Sequence, residues 1–121
     1  MSSSNLATGR IGEMLAAKYL QKKGFKILTK NFRSNRTEID IIAQKNNKIH
    51  FIEVKTRLSV AKGKPYEAVG KVKVSNLLKT AMYFLLQTGK KEHKLSLDVV
   101  SILLDGANNI RSLQHFENIN S

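Results

Sequence analysis

The chain has 121 residues, one proline and no cysteine, and its 21 lysines and arginines against 9 aspartates and glutamates give a formal net charge of +12. A chain of this length can close one core without covalent staples, and the missing thiols exclude disulfides and thiolate metal sites. The charge excess points to a polyanionic partner, nucleic acid before an anionic membrane surface.

In chain order, residues 1–6 read as a short polar tail. Ile11, Met14, Leu15, Tyr19 and Leu20 then recur at helical spacing from about Ala7 to Lys23, with Gly24 as a stop. KILTKNF (26–32) reads as a short strand. EIDIIA (38–43) and KIHFIEVKT (48–56) read as a hairpin bridged by QKNN. SVAKGKP reads as a basic loop. Val74, Leu77, Leu78, Ala81 and Leu85 form the stripe of a second helix ending near Gly89. LSLDVVSILL reads as a strand, DGANN as a turn and IRSLQHF as a further strand. The order α-β-β-β-α-β, with room for a last β, predicts a single α/β domain over 1–121 with a mixed central sheet flanked by helices. AMYFLL, the longest apolar run, falls far short of the roughly 20 residues a membrane helix needs. MSSSNLATGR lacks a signal-peptide pattern, so a cytoplasmic location is expected.

A two-residue type I′ turn at Asn46 and Asn47 would set Ile42 opposite Phe51, Asp40 opposite Glu53 and Glu38 opposite Lys55. Strand alternation then gathers all four polar residues on one face at the open end of the hairpin. Two carboxylates at cross-strand distance repel unless a cation lies between them. Asp40 and Glu53 are therefore candidate ligands for Mg²⁺ or Mn²⁺, with the Val54 carbonyl as a further oxygen. Lys55 could orient an attacking water or stabilise phosphate charge. The alternative is a solvated face with a Glu38–Lys55 ion pair of modest value. His50, His93 and His115 show no metal-ligand spacing, and Asp98 reads as a strand-start or turn-side acid. Arg33, Arg36, Arg57, Lys62 and Lys64 flank the acids in sequence and are candidate phosphate contacts, with Tyr66 a candidate base-stacking residue.

An acid on one strand followed by Glu-Val-Lys on the next resembles the PD-(D/E)XK arrangement of restriction-endonuclease-like nucleases. GRIGEMLAAKYLQKKGFKILTKNFR, TEIDIIA, FIEVKTR, KPYEAVGKVKVSNLLKTAMYFL and LDVVSI look like the YraN family, small bacterial proteins placed in that superfamily. At the level of fold and motif alone there is similarity to archaeal Holliday-junction resolvases. The resemblance implies a metal-dependent endonuclease acting on DNA, branched or structured DNA included, with catalytic Asp40, Glu53 and Lys55. It adds Glu13 on the first helix to the metal set, with Glu38 assisting, and places Lys73 as a helical lysine against nucleic acid. By analogy with the resolvases it implies a homodimer. Thr37, Ser96 and Leu97 depart from the family pattern, none of them in the acid set. The alternative to catalysis is a nucleic-acid-binding module or assembly factor retaining the fold, and RNA stands as an alternative to DNA.

Overall fold

A computed structural model describes residues 3–34, 37–58 and 73–120. Helix α1 (Ser3–Lys22) leads into a meander of β1 (Lys26–Ser34), β2 (Thr37–Lys45) and β3 (Lys48–Arg57). Helix α2 (Val74–Gln87), β4 (Lys94–Leu104) and β5 (Ile110–Phe116) follow. The last strand is therefore present, and α1 begins at Ser3, inside the stretch expected to be a tail. Both helices stop at the glycines the sequence marks. Gly24 (φ 93°) and Gly89 (φ 69°) take the left-handed conformation. Behind them Phe25 N–H reaches Leu20 O at 2.9 Å and Lys90 N–H reaches Leu85 O at 2.8 Å, the long bonds of Schellman turns.

The sheet runs in sequence order, β1-β2-β3-β4-β5. Only β3 and β4 pair in parallel; the other neighbours are antiparallel. The parallel pair is what a crossover through α2 produces. Strand alternation divides the core in two. Ile41, Ala43, Ile52, Val100, Ile102 and Leu104 pack with Ala16, Ala17 and Leu20 of α1. Ile39, Ile42, Ile49, Phe51 and Leu97 pack with Leu77, Ala81, Phe84 and Leu85 of α2. A helix thus covers each face, and β2 and β3 are buried on both sides. Fully burying one such aliphatic side chain contributes about 1.5–3 kcal/mol, so these two strands and β4, buried from Ser96 to Leu104, anchor the sheet. Among the described residues no helix is long and apolar enough to cross a membrane.

The hairpin register is the expected one, from Lys45–Lys48 through Ile42–Phe51 to Ile41–Ile52. The turn differs. Only Asn46 of its two central residues has a positive φ, at 56°, whereas type I′ requires it at both.

Candidate active site

The β2–β3 ladder stops at Ile41–Ile52, just short of the four polar residues. Continued, it would bond Val54 N–H to the β2 backbone at Ile39. The Val54 N–H instead donates to Asp40 Oδ2 at 2.8 Å. The β1–β2 pairing passes from Lys30–Ile41 to Phe32–Ile39, skipping Asn31 and Asp40, and Asn31 has φ 53°. Alternation is also broken here: Ile39 and Ile42 pack in the same cluster, although an even number of steps should separate residues on one face. Asp40 therefore sits where β2 twists and leaves β3, not at an ordinary ladder position.

Asp40 is only 7% exposed. Burial, then the charge of Glu53 and a hydrogen bond shared with its carboxyl group, push the Asp40 pKa up to about 8, with the Val54 N–H opposing. Two carboxyl groups that share a proton are oxygen donors drawn together, and a hard divalent ion can take that proton's place. Glu13 approaches from α1. Its carboxylate accepts from Asn31 Nδ2 at 3.1 Å. Burial raises its pKa, the Asn31 hydrogen bond opposes this, and the charges of Asp40 and Glu38 add to the rise. Asn31 is a positioning residue that the sequence does not announce, apart from asparagine's tolerance of positive φ.

Not every expected member converges in the expected way. Glu38 is not paired with Lys55, because the strands have already parted. It lies opposite Arg33 on β1 and accepts from the Arg33 guanidinium at 3.1 Å. This pair is exposed and contributes little to stability, and it occupies one of the arginines expected to contact phosphate. Lys55 is half-buried two residues beyond Glu53, and Arg57 ends the strand. Lys73 is exposed and stands at the N-cap of α2, one residue before the helix. Arg36, Lys62, Lys64 and Tyr66 lie outside the described residues.

The histidines overturn the sequence expectation. Asp98 stands inside β4, buried, and accepts from His50 Nδ1 and His115 Nε2, each at 2.7 Å from its Oδ2. Its Oδ1 accepts from the Ser96 hydroxyl at 2.5 Å and from Asn118 N–H at 3.2 Å. Burial alone would raise the Asp98 pKa, but hydrogen bonds from His115, His50 and Ser96 overcome it and hold the carboxyl far below its usual range. Among the described residues, the metal-capable trio whose ligand atoms all fall within 4.8 Å of one another is His50, Asp98 and Glu117, not a set built on Asp40. The sequence did carry a signal. His50 shares a strand face with Ile52, and Asp98 shares one with Val100 and Ile102, so both are polar residues on core-facing positions.

The two buried acids set opposite pH dependences. Between the ordinary aspartate value of 3.8 and about 8, folded Asp40 keeps a proton that the unfolded chain has released, so stability falls as pH rises. Asp98 contributes above its unfolded pKa and loses that contribution as pH falls through its lower folded one. In EDTA, the melting temperature is expected to decline from pH 5 to pH 8, with a slope from this group of at most about 1.4 kcal/mol per pH unit. Asp40→Asn should flatten the decline; a melting temperature that rises over this window would contradict the buried, protonated Asp40.

Fold and site together define an α/β protein with a two-helix sandwich and an acid pair where its central hairpin splits. The chain belongs to the family described as "Uncharacterised protein family UPF0102", the YraN family, whose family model matches residues 12–102. It is 46% identical over 110 residues to a UPF0102 protein of Syntrophomonas wolfei, covering 90% of this chain and 96% of that one. A UPF0102 protein of Thermodesulfovibrio yellowstonii is 44% identical over 115 residues, covering 95% and 96%. One from Chlorobium limicola is 44% identical over 112 residues, covering 89% and 87%. The family match includes Glu13, Asp40, Glu53, Lys55 and Asp98 and ends before His115 and Glu117.

Proposed function

We propose that this protein is a Mg²⁺- or Mn²⁺-dependent phosphodiesterase acting on DNA, in the manner of PD-(D/E)XK nucleases. The observation that carries the reading is the buried Asp40 carboxyl, proton-linked to Glu53 and held by the Val54 N–H at the parting of two strands. Two hard oxygen donors meeting at a largely buried carboxyl are costly to ionise without a cation, and these donors suit one. Asp40 and Glu53 would hold the ion, with Glu13 and Glu38 close enough to act through water and the Val54 carbonyl as a further oxygen. A bound divalent ion supplies Lewis acidity toward a phosphate oxygen and lowers the pKa of water.

The remaining roles fall to the protein's own groups. Asn31 keeps Glu13 turned toward Asp40. Lys55, two residues from Glu53, orients the attacking water and offsets charge on the phosphate. Arg57 and Lys73 hold the nucleic-acid backbone without reading bases, Arg33 joins them only by leaving Glu38, and the chain's +12 charge favours that contact.

Cleavage of duplex, flap and four-way-junction DNA in Mg²⁺ or Mn²⁺ is the test, with Asp40→Asn as control. Metal-dependent cutting by the wild type should vanish in the variant while binding survives, since asparagine can still accept from Val54 N–H. Full activity in Asp40→Asn would refute the site. Binding without cutting on every substrate, in wild type and variant alike, would favour a non-catalytic nucleic-acid-binding module, and preference for matched RNA hairpins would shift the substrate class.

A further inference from the structure

The end of the hairpin remote from Asp40 carries a second set of ligating groups that phosphodiester cleavage does not use. His50 comes from β3, Asp98 from β4, His115 from β5, and Glu117 from the residues just after it. Asp98 Oδ2 lies 2.7 Å from both His50 Nδ1 and His115 Nε2. Glu117 Oε1 lies 3.8 Å from His50 Nδ1. The His50 and His115 side chains are 3% and 7% exposed and that of Asp98 is 0% exposed, whereas Glu117 is 55% exposed. The other Asp98 oxygen is fixed by Ser96 and Asn118, so the carboxylate cannot turn away from the imidazoles. Anchoring of a ligand's second atom is what metal sites use to aim the first. His50 and Glu117 also line a cavity of about 420 Å³ beside the hairpin turn, which gives an ion a way in.

We propose that His50, Asp98, His115 and Glu117 form a site for a borderline divalent transition ion such as Zn²⁺. Two imidazole nitrogens and two carboxylate oxygens favour Zn²⁺ or Co²⁺ over the all-oxygen preference of Mg²⁺. Donors about 2.0–2.1 Å from a tetrahedral ion stand roughly 3.3 Å apart. The 2.7 Å and 3.8 Å separations of His50 Nδ1 from Asp98 and Glu117 bracket that spacing, whereas His115, outside the trio whose ligand atoms lie within 4.8 Å of one another, must move farther to complete the set. The ion would take the place of the hydrogen-bond protons between the imidazoles and Asp98, each imidazole coordinating as the tautomer that carries its proton on the other ring nitrogen. It would tie β3, β4 and the segment after β5 together. Lys45, Lys48 and Lys94 line the same cavity and do not attract a cation, so selection rests on the ligands themselves.

The test uses the full chain carrying Asp40→Asn and Glu53→Gln, which removes the other acid pair and makes the result independent of whether the protein cuts DNA. Titration calorimetry with Zn²⁺, visible absorption with Co²⁺ and histidine ring NMR would follow binding. One ion per chain is expected, with the His50 and His115 resonances shifted and no displacement by excess Mg²⁺. Adding Glu117→Gln, a change at an exposed side chain, should weaken Zn²⁺ at least about tenfold. His115→Gln should do the same and provides a second reading on a different strand. No saturable binding, binding that both variants leave unchanged, or equal competition by Mg²⁺ would overturn the assignment and leave a purely hydrogen-bonded His–Asp–His network.

Discussion

Asp98→Ala is expected to destabilise the metal-free protein by about 3–5 kcal/mol, the usual result of removing one member of a buried charge network. The loss is large because four donors converge on one carboxylate: His50, His115, the Ser96 hydroxyl and the Asn118 N–H. Truncation strands His50, His115 and the Ser96 hydroxyl, while the Asn118 N–H keeps the Ser96 oxygen as an acceptor at 3.0 Å, and each abandoned buried donor costs about 1–3 kcal/mol. Ser96→Ala removes a single donor and should cost only about 1 kcal/mol. Urea denaturation in EDTA would measure both. Equal, small losses for the two variants would mean that the network contributes little to stability.

Gly12→Ala should damage both stability and the proposed DNA cleavage. A Cβ at Gly12 would fall 1.8 Å from Thr56 Oγ1 and 2.8 Å from Thr56 Cβ and Cγ2. Threonine is short and branched, so rotating it exchanges one clashing atom for another, and α1 must withdraw from β3 instead. Overpacking of this kind costs about 1–3 kcal/mol, and alanine's better helix propensity returns about 0.8–1.0 kcal/mol. The larger effect falls on the next residue. Glu13 would retreat from Asn31 and Asp40, and a displacement of about 1 Å can reduce catalysis about 100-fold. Thr56→Ala in the same chain should restore most of the stability and cleavage but not all, since Thr56 Cβ alone is already too near. Melting temperature and cleavage rate of the single and double variants would decide it; an unaffected Gly12→Ala would mean that the helix seat is looser than described.

The elements themselves were legible because each followed a local rule. Apolar spacing marked both helices, glycine marked their ends, and the Asn46–Asn47 pair fixed the hairpin register down to Ile42–Phe51. The meeting of Asp40 with Glu53 followed from that register. The manner of their meeting did not, since the break at Asn31 and Asp40 is a property of three strands together. A continued ladder sets Glu38 opposite Lys55, and the split delivers it to Arg33 instead. His50 and His115 show no ligand spacing in the sequence because their contact exists only through the parallel β3–β4 pair and the β4–β5 return. Asp98 has the sequence position of a strand-start or turn-side acid, yet it lies among Leu97, Val99 and Val100 in a strand buried on both faces.

The parallel pair also dictates the order in which the molecule can assemble. Lys48 pairs with Lys94 and Arg57 with Leu103, so partners across this ladder are 46 positions apart in the chain. The β2–β3 hairpin closes over a two-residue turn, and a loop of that greater length costs about 3 kcal/mol more chain entropy by the logarithmic closure law. By that difference the meander is expected to form before β4 docks, so that Asp98 meets His50 already in place on β3. The strength of the buried network is thus withheld until the sheet is nearly complete, and the stability it adds acts as a latch against unfolding, not as a guide to folding.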